Sequence, residues 1–468
     1  MICSLSGALR GLRHSLSPLV QSLRRPAHTS AYHWLSGNGN SYGGQSRWQY
    51  TPDGTVFHSP GSRPSSQAVS DTHFDFSPYQ CVGFDLDNTL CQYRVRPLME
   101  MAYSQCLVPH LIERFEFPGD VFLDMDDGSG LCARGIVLDA PRGNLLKLRH
   151  DGAVLRATHG SRPLTREEVI DAYGTHSAPS AARDLALSVT DPPCGRLRTF
   201  RDFFDAPAVL AAASLVDAVD AGRLPGADYA TVCAAAQSGL RHMYDREKFA
   251  QDQDGFFSRL RADTTAIAHP CSPAVLELLR QLRRDGKLLF LVTSSHVDYA
   301  RHMAELALGA DWFQFFDVVV TYACKPRFFT GRAPFLSVDS YDREGAVVSA
   351  EALRPGRVYS QGSWADLYSF LRRETATEHP MCVYIGDNLA YDVHPTRVYT
   401  RSHALAVCEE LEAEHGVRCS SGQPTSLRHS TVWGSMLREG EHDTLWGAVV
   451  RRARACVPRL DYLASRPD

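Results

Sequence analysis

The sequence predicts an α/β protein: an open, Rossmann-like parallel sheet with helices on both faces and a large mixed α+β cap inserted after the first strand. Three observations predict it. Short, wholly apolar runs alternate with helical patterns, the signature of parallel strands buried on both faces. Each run stops at a polar cluster, so those clusters gather on the C-terminal edge of the sheet, where helix N-termini and loop amides also converge. About 200 residues separate the first run from the second, too many for a simple crossover.

The first strand is the start of "CVGFDLDNTL", 81–90, and ends on Asp85 and Asp87. "KLLFLV" precedes Thr293, Ser294 and Ser295; "FDVVVTYA" precedes "CKP" with Lys325; "MCVYI" precedes "GDNLAYD" with Asp387 and Asp392; "SHALAV", 402–407, reads as a fifth strand. Before the second strand, Ser272 and Pro273 open a helix whose Val275, Leu278, Leu279 and Leu282 form one apolar stripe, with Gly286 placed to end it. Inside the insertion, 134–160 alternates as strands around turns at "PRGN" and "HDGA", whereas "APAVLAAASLVDAVDAG" reads as helix. The expected organisation is a leader over 1–52, a linker over 53–77, a core of 78–95 and 268–410, a cap of 96–267, and a helical extension over 411–468.

Composition excludes several classes. No apolar run reaches the roughly 18 residues that a membrane span needs. A net charge of −4 disfavours a general nucleic-acid binder. Thirteen cysteines without a CxxC pair read as reduced thiols, and zinc is not expected. The leader differs in kind: it has no acidic residue before Asp53, carries Arg10, Arg13, Arg24, Arg25 and Arg47, and sets Leu5, Leu9, Leu12, Leu16, Leu19 and Leu23 on one helical stripe. That composition predicts a mitochondrial transit peptide, the alternative being a basic tail on a cytoplasmic protein. Residues 36–70, rich in Gly, Ser and Pro, read as linker.

Two carboxylates one residue apart at the end of an apolar strand need a counter-charge. A calcium loop counted from Asp85 fails, because its sixth position is Leu90 and its twelfth Arg96. No P-loop, GxGxxG or GxSxG elbow occurs, which disfavours kinases, dinucleotide enzymes and serine hydrolases. Carboxylates, hydroxyls and a lysine on one rim are what a phosphate ester and a magnesium ion require. In this reading Asp85 is the nucleophile, Asp87 the general acid and base, Thr293 a phosphoryl-binding group assisted by Ser294 and Ser295, and Lys325 the neutralising charge. Asp387 joins Asp85 at the metal, and Asp392 orients Lys325 or a metal-bound water.

These residues resemble the haloacid dehalogenase-like phosphatases, whose four motifs are matched in order by "DLDNT", the threonine of "VTSS", the lysine of "CKP" and "GDNLAYD". Within that superfamily the chain is similar to the purine 5'-nucleotidases, through "RGIVLDAPRGNLLKL", "KPRFF", "YSQGS" and "YIGDNLAYD". The resemblance covers about residues 78–468. It implies a magnesium-dependent hydrolase of nucleoside 5'-monophosphates, with metal ligands at Asp85, Asp87 (through its backbone carbonyl) and Asp387. Arg134, Asp139 and Lys147 in the cap hairpin become candidates for contacting the nucleotide, the alternative being a surface ion-pair network. Two departures concern the substrate. Thr293-Ser294-Ser295 stands where the family usually has Thr-Asn-Ser, and "VHPTRVYTRSHALAVCEEL" replaces a lysine-rich, tryptophan-containing helix. The competing functions are a catalytically weak protein that binds a nucleotide or a partner on the same fold, and a nucleoside phosphotransferase. Homo-oligomerisation is left open.

Overall fold

The structure is a computed structural model that describes residues 49–50, 56–57, 74–174, 197–251, 253–340, 342–414 and 430–464. The predicted leader helix lies outside the described residues. No helix among the described residues is long and apolar enough to cross a membrane.

The architecture is α/β. An 11-stranded sheet holds, in spatial order, the parallel strands Ala455–Val457, His403–Val407, Cys382–Gly386, Cys81–Phe84, Leu288–Val292, Val318–Thr321 and Arg357–Gln361. Phe335–Val338 and Glu344–Val348 extend it antiparallel at one edge. Val56–Phe57 and Gln49–Tyr50 do so at the other, within the stretch read as linker. The five predicted core strands are all present. Their residues are almost all buried, as expected of strands covered on both faces.

The Pro273–Arg284 helix follows its sequence signals. Ser272 Oγ accepts from the Val275 amide at 3.2 Å, and Val275, Leu278, Leu279 and Leu282 are the buried residues. Gly286, one residue past the cap, adopts φ +72, which glycine tolerates best.

The structure departs from expectation on the other side of the sheet. The described residues within 411–468 do not form a purely helical extension. They include the Leu445–Val450 helix and then Ala455–Val457, which pairs in parallel with His403–Val407. "ACV" is too short to show a period, so its strand identity comes from the edge amides and carbonyls that it satisfies. Arg357–Gln361 was likewise not expected as a strand, because its polar Ser360 and Gln361 break the apolar run.

The insertion forms a five-stranded antiparallel sheet, in the order Arg162–Pro163, Val154–His159, Asn144–Leu148, Val137–Asp139, Leu197–Thr199. The Ala206–Asp220 helix is buried along most of its length. One apolar cluster runs from Leu98, Leu138 and Leu210 in the insertion to Leu279, Leu291 and Val383 beside the main sheet. The cap therefore shares its hydrophobic interior with the core.

Candidate active site

Four loops bring the polar clusters together at the C-terminal edge of the sheet. The first leaves Cys81–Phe84 with the Asp85 amide donating to Ile385 O at 2.8 Å, which fixes it beside the Cys382–Gly386 strand. The amides of Thr89, Leu90 and Cys91 all turn back to Leu86 O, and Asn88 takes φ +53. This tight turn holds Asp85 and Asp87 at the edge with both nearly buried.

Lys325 lies between two carboxylates, its Nζ 2.7 Å from Asp85 Oδ1 and 2.6 Å from Asp392 Oδ1. Burial opposes its charge, yet Asp392 and then Asp85 outweigh that, and its pKa is raised. Asp392 reaches this position because Gly386 has no side chain: a Cβ there would lie 2.6 Å from the Asp392 carboxyl.

Carboxylate oxygens of Asp85, Asp387 and Asp392 lie within 4.8 Å of one another. Burial, more than the neighbouring acids, pushes Asp85 up to about 7 and Asp387 well above the usual carboxylate range. Among the described residues, Lys325 and Arg134 pair with these acids and offset their charge, and Arg134 is shared with Glu410. An all-oxygen donor set with surplus buried negative charge fits a hard divalent cation such as magnesium. The Asp87 side chain is not part of that group.

Asp87 is held from behind by hydroxyls. Tyr93 donates to its Oδ1 at 2.6 Å and Ser295 to its Oδ2 at 2.5 Å. The Tyr299 hydroxyl is 2.6 Å from that of Tyr93. All three are buried. Thr293 Oγ1 accepts from the Ser295 amide at 3.1 Å, and Ser294 Oγ from the Lys325 amide at 3.0 Å. Of the three hydroxyl residues, Thr293 and Ser294 line the cleft, whereas Ser295 braces Asp87.

That cleft is small and partly open to solvent. Asp85, Asp87, Thr293, Ser294, Lys325 and Asp387 form its floor, and Asn88, Asp202, Phe204, Asn388 and Tyr391 complete its lining. Asp202 and Phe204 belong to the cap. The sequence reading missed them: "RDFFD" shows polar residues among aromatics but no motif. It also missed Tyr93 and Tyr299, which look like ordinary core aromatics.

The structure does not bring the three cap candidates together at the cleft. Arg134 donates through Nε and Nη2 to both carboxylate oxygens of Glu410, at 2.8 and 2.6 Å, and through Nη1 to Asp387 Oδ2 at 2.9 Å. It thus ties the cap to Asp387 and Glu410 in a buried network, not on the surface. Asp139 is buried with Tyr173 OH at 3.2 Å and Arg142 at 3.4 Å. Lys147 donates to Trp433 O at 2.7 Å and pairs with Glu439. Neither Asp139 nor Lys147 lines the cleft. Lys147 lines a separate cavity with Arg134, Trp433 and Trp446.

Comparison with known proteins places the chain in a family. The human "5'-nucleotidase domain-containing protein 1" is 33% identical over 355 residues, 74% of this chain and 75% of that protein. Its bovine counterpart is 29% identical over 358 residues, 75% and 77% of the two chains. The human "5'-nucleotidase domain-containing protein 2" is 28% identical over 368 residues, 76% of this chain and 64% of that protein. A model of the 5' nucleotidase family matches residues 72–439, from just before the first core strand through the cap and the remaining core loops, and to that family the chain belongs.

Proposed function

We propose that the protein is a magnesium-dependent phosphomonoesterase that removes phosphate from nucleoside 5'-monophosphates through an aspartyl-phosphate on Asp85. The observation that carries this reading is the meeting of Asp85, Asp87, Lys325 and Asp387 at one cleft, with Asp392 buried behind Lys325.

In the first step an Asp85 oxygen bonds to phosphorus while the bond from phosphorus to the nucleoside 5'-oxygen breaks, and Asp87 delivers a proton to that oxygen. In the second step Asp87 takes a proton from water, the water oxygen bonds to phosphorus, and inorganic phosphate leaves with Asp85 restored. Lys325, 2.7 Å from Asp85, favours the ionised form of the nucleophile and so opposes the effect of burial. Thr293 and Ser294 contact the phosphoryl oxygens, and Asp392 holds Lys325 in place. A magnesium ion held by Asp85, Asp387 and the Asp87 carbonyl would supply positive charge to the phosphoryl group.

The test is release of inorganic phosphate by the full chain from a panel of nucleoside monophosphates and sugar phosphates. Activity should require magnesium, vanish in Asp85→Asn, and fall about 10²- to 10⁴-fold in Asp87→Asn. Turnover that survives Asp85→Asn or exhaustive chelation refutes the reading. One observation favours a second reading, a catalytically weak nucleotide binder: Arg134 already occupies Asp387 Oδ2. Nucleotide binding by calorimetry, with no phosphate released across the panel, would select it.

A further inference from the structure

We propose that Asp202 is a specificity-determining residue that, with Asn388, reads a hydroxyl on the leaving alcohol and rejects a second anionic group there. The proposal rests on the phosphomonoesterase reading and concerns the same cleft.

Among the described residues, Asp202 is the one carboxylate that the cap contributes to the cleft lining. One of its oxygens is committed to the backbone: Oδ1 accepts from the amides of Phe204 at 3.0 Å and Asp205 at 3.1 Å. This holds the side chain in a fixed pose and leaves Oδ2 facing Asn388. Asn388 is fixed in the same way, because its Oδ1 accepts from the amides of Ala390 and Tyr391 at 3.2 and 3.0 Å. Its Nδ2 therefore turns toward the cap. The result is an acceptor and a donor, each pre-oriented by its own loop.

Between them the direct contact is poor. Asn388 Nδ2 is 3.5 Å from Asp202 Oδ2, at the outer limit of a hydrogen bond. A hydroxyl is the group that satisfies both, accepting from Nδ2 while donating to Oδ2. Asp85, Asp87, Thr293 and Lys325 on the cleft floor engage the phosphoryl end, so the alcohol portion of the substrate extends along the walls beside this pair. The matching ligand class is a polyol monophosphate, such as a nucleoside 5'-monophosphate with free ribose hydroxyls. A second phosphate in place of that hydroxyl would offer no donor and would meet the Asp202 charge.

The test uses Asp202→Asn in the full chain, since an asparagine oxygen can still accept from the two loop amides. Three substrates are compared: adenosine 5'-monophosphate, adenosine 3',5'-bisphosphate (5'-phosphate release), and p-nitrophenyl phosphate, which lacks hydroxyls. The variant should lose about 10- to 100-fold in kcat/KM for the monophosphate, as expected for a hydrogen bond to a charged group. Its loss on p-nitrophenyl phosphate should be clearly smaller than on the monophosphate, and the bisphosphate should gain relative to the monophosphate. A parallel fall on all three substrates, or unchanged ratios, overturns the role of Asp202 while leaving the phosphatase standing. A parent protein that hydrolyses none of the three removes the phosphatase reading and this inference with it.

Discussion

Replacing Arg134 by methionine isolates the buried network that joins cap to core. The guanidinium side chain is 1% exposed, and those of Asp387 and Glu410 are 6% exposed. Its bonds to them run at 2.6–2.9 Å, its carbon lies 4.8 Å from the Phe203 ring centre, and Nη1 also reaches Asp387 O at 3.3 Å. Methionine roughly preserves volume but strands two carboxylates without a counter-charge. Removing one partner of a buried pair costs about 3–5 kcal/mol, a large share of the roughly 5–15 kcal/mol that holds a domain folded.

Urea unfolding at pH 7 should therefore show a much lower midpoint for Arg134→Met. Adding Glu410→Gln should recover part of the loss, giving a coupling above about 1.5 kcal/mol in the double-mutant cycle. The pH dependence carries a sign. Burial tends to raise Glu410, but Arg134 overcomes this and the folded pKa is lowered. A carboxylate with a lowered folded pKa adds stability above its unfolded value, near 4.3, and loses it as pH falls through the folded value. The gap between parent and variant should thus narrow on acidification below about pH 4. A variant within about 1 kcal/mol of the parent at pH 7, or a gap that widens in acid, would refute the argument.

Two further outcomes follow from the same geometry. Tyr93→Phe removes one of two hydroxyls on Asp87, so kcat should drop about 10- to 100-fold with KM little changed, and an equal loss through KM would contradict a positioning role. His296 is held down to about 3 by burial, then by Arg246, and its ring lies 4.0 Å from that of Tyr322. Because the unfolded imidazole protonates near 6.5, the folded state should lose stability as pH falls from there toward 3, and nuclear magnetic resonance should find no His296 titration between pH 7 and 5. A titration midpoint near 6.5 would show that the ring is solvated.

Much of the core was legible in the sequence because parallel strands and helix caps leave local signatures. "CVGF", "LLFLV" and "CVYIG" are buried on both faces, so their apolar character is continuous and their ends are marked by the first polar residue. Ser272 and the stripe from Val275 to Leu282 are decided by bonds and contacts within a few turns. Arg357–Gln361 and Ala455–Val457 were not legible, because pairing with strands far along the chain decides them. Ser295 shows the same limit inside the site. Its place beside Thr293 suggested phosphate binding, whereas its hydroxyl donates to Asp87, 208 positions earlier in the chain.

By itself, then, the sequence determined the order of strands and loops and the kinds of groups that the loops carry, because backbone sterics and burial act over a few residues. Only the tertiary structure decided which of those groups face one another. Arg134 meets Asp387 and Glu410, Lys147 turns to Glu439, and Asp202 enters the cleft from the cap. Such pairings depend on how an insertion packs over a sheet edge. That is settled by shape and by the need to satisfy each buried charge, and neither leaves a period in the chain.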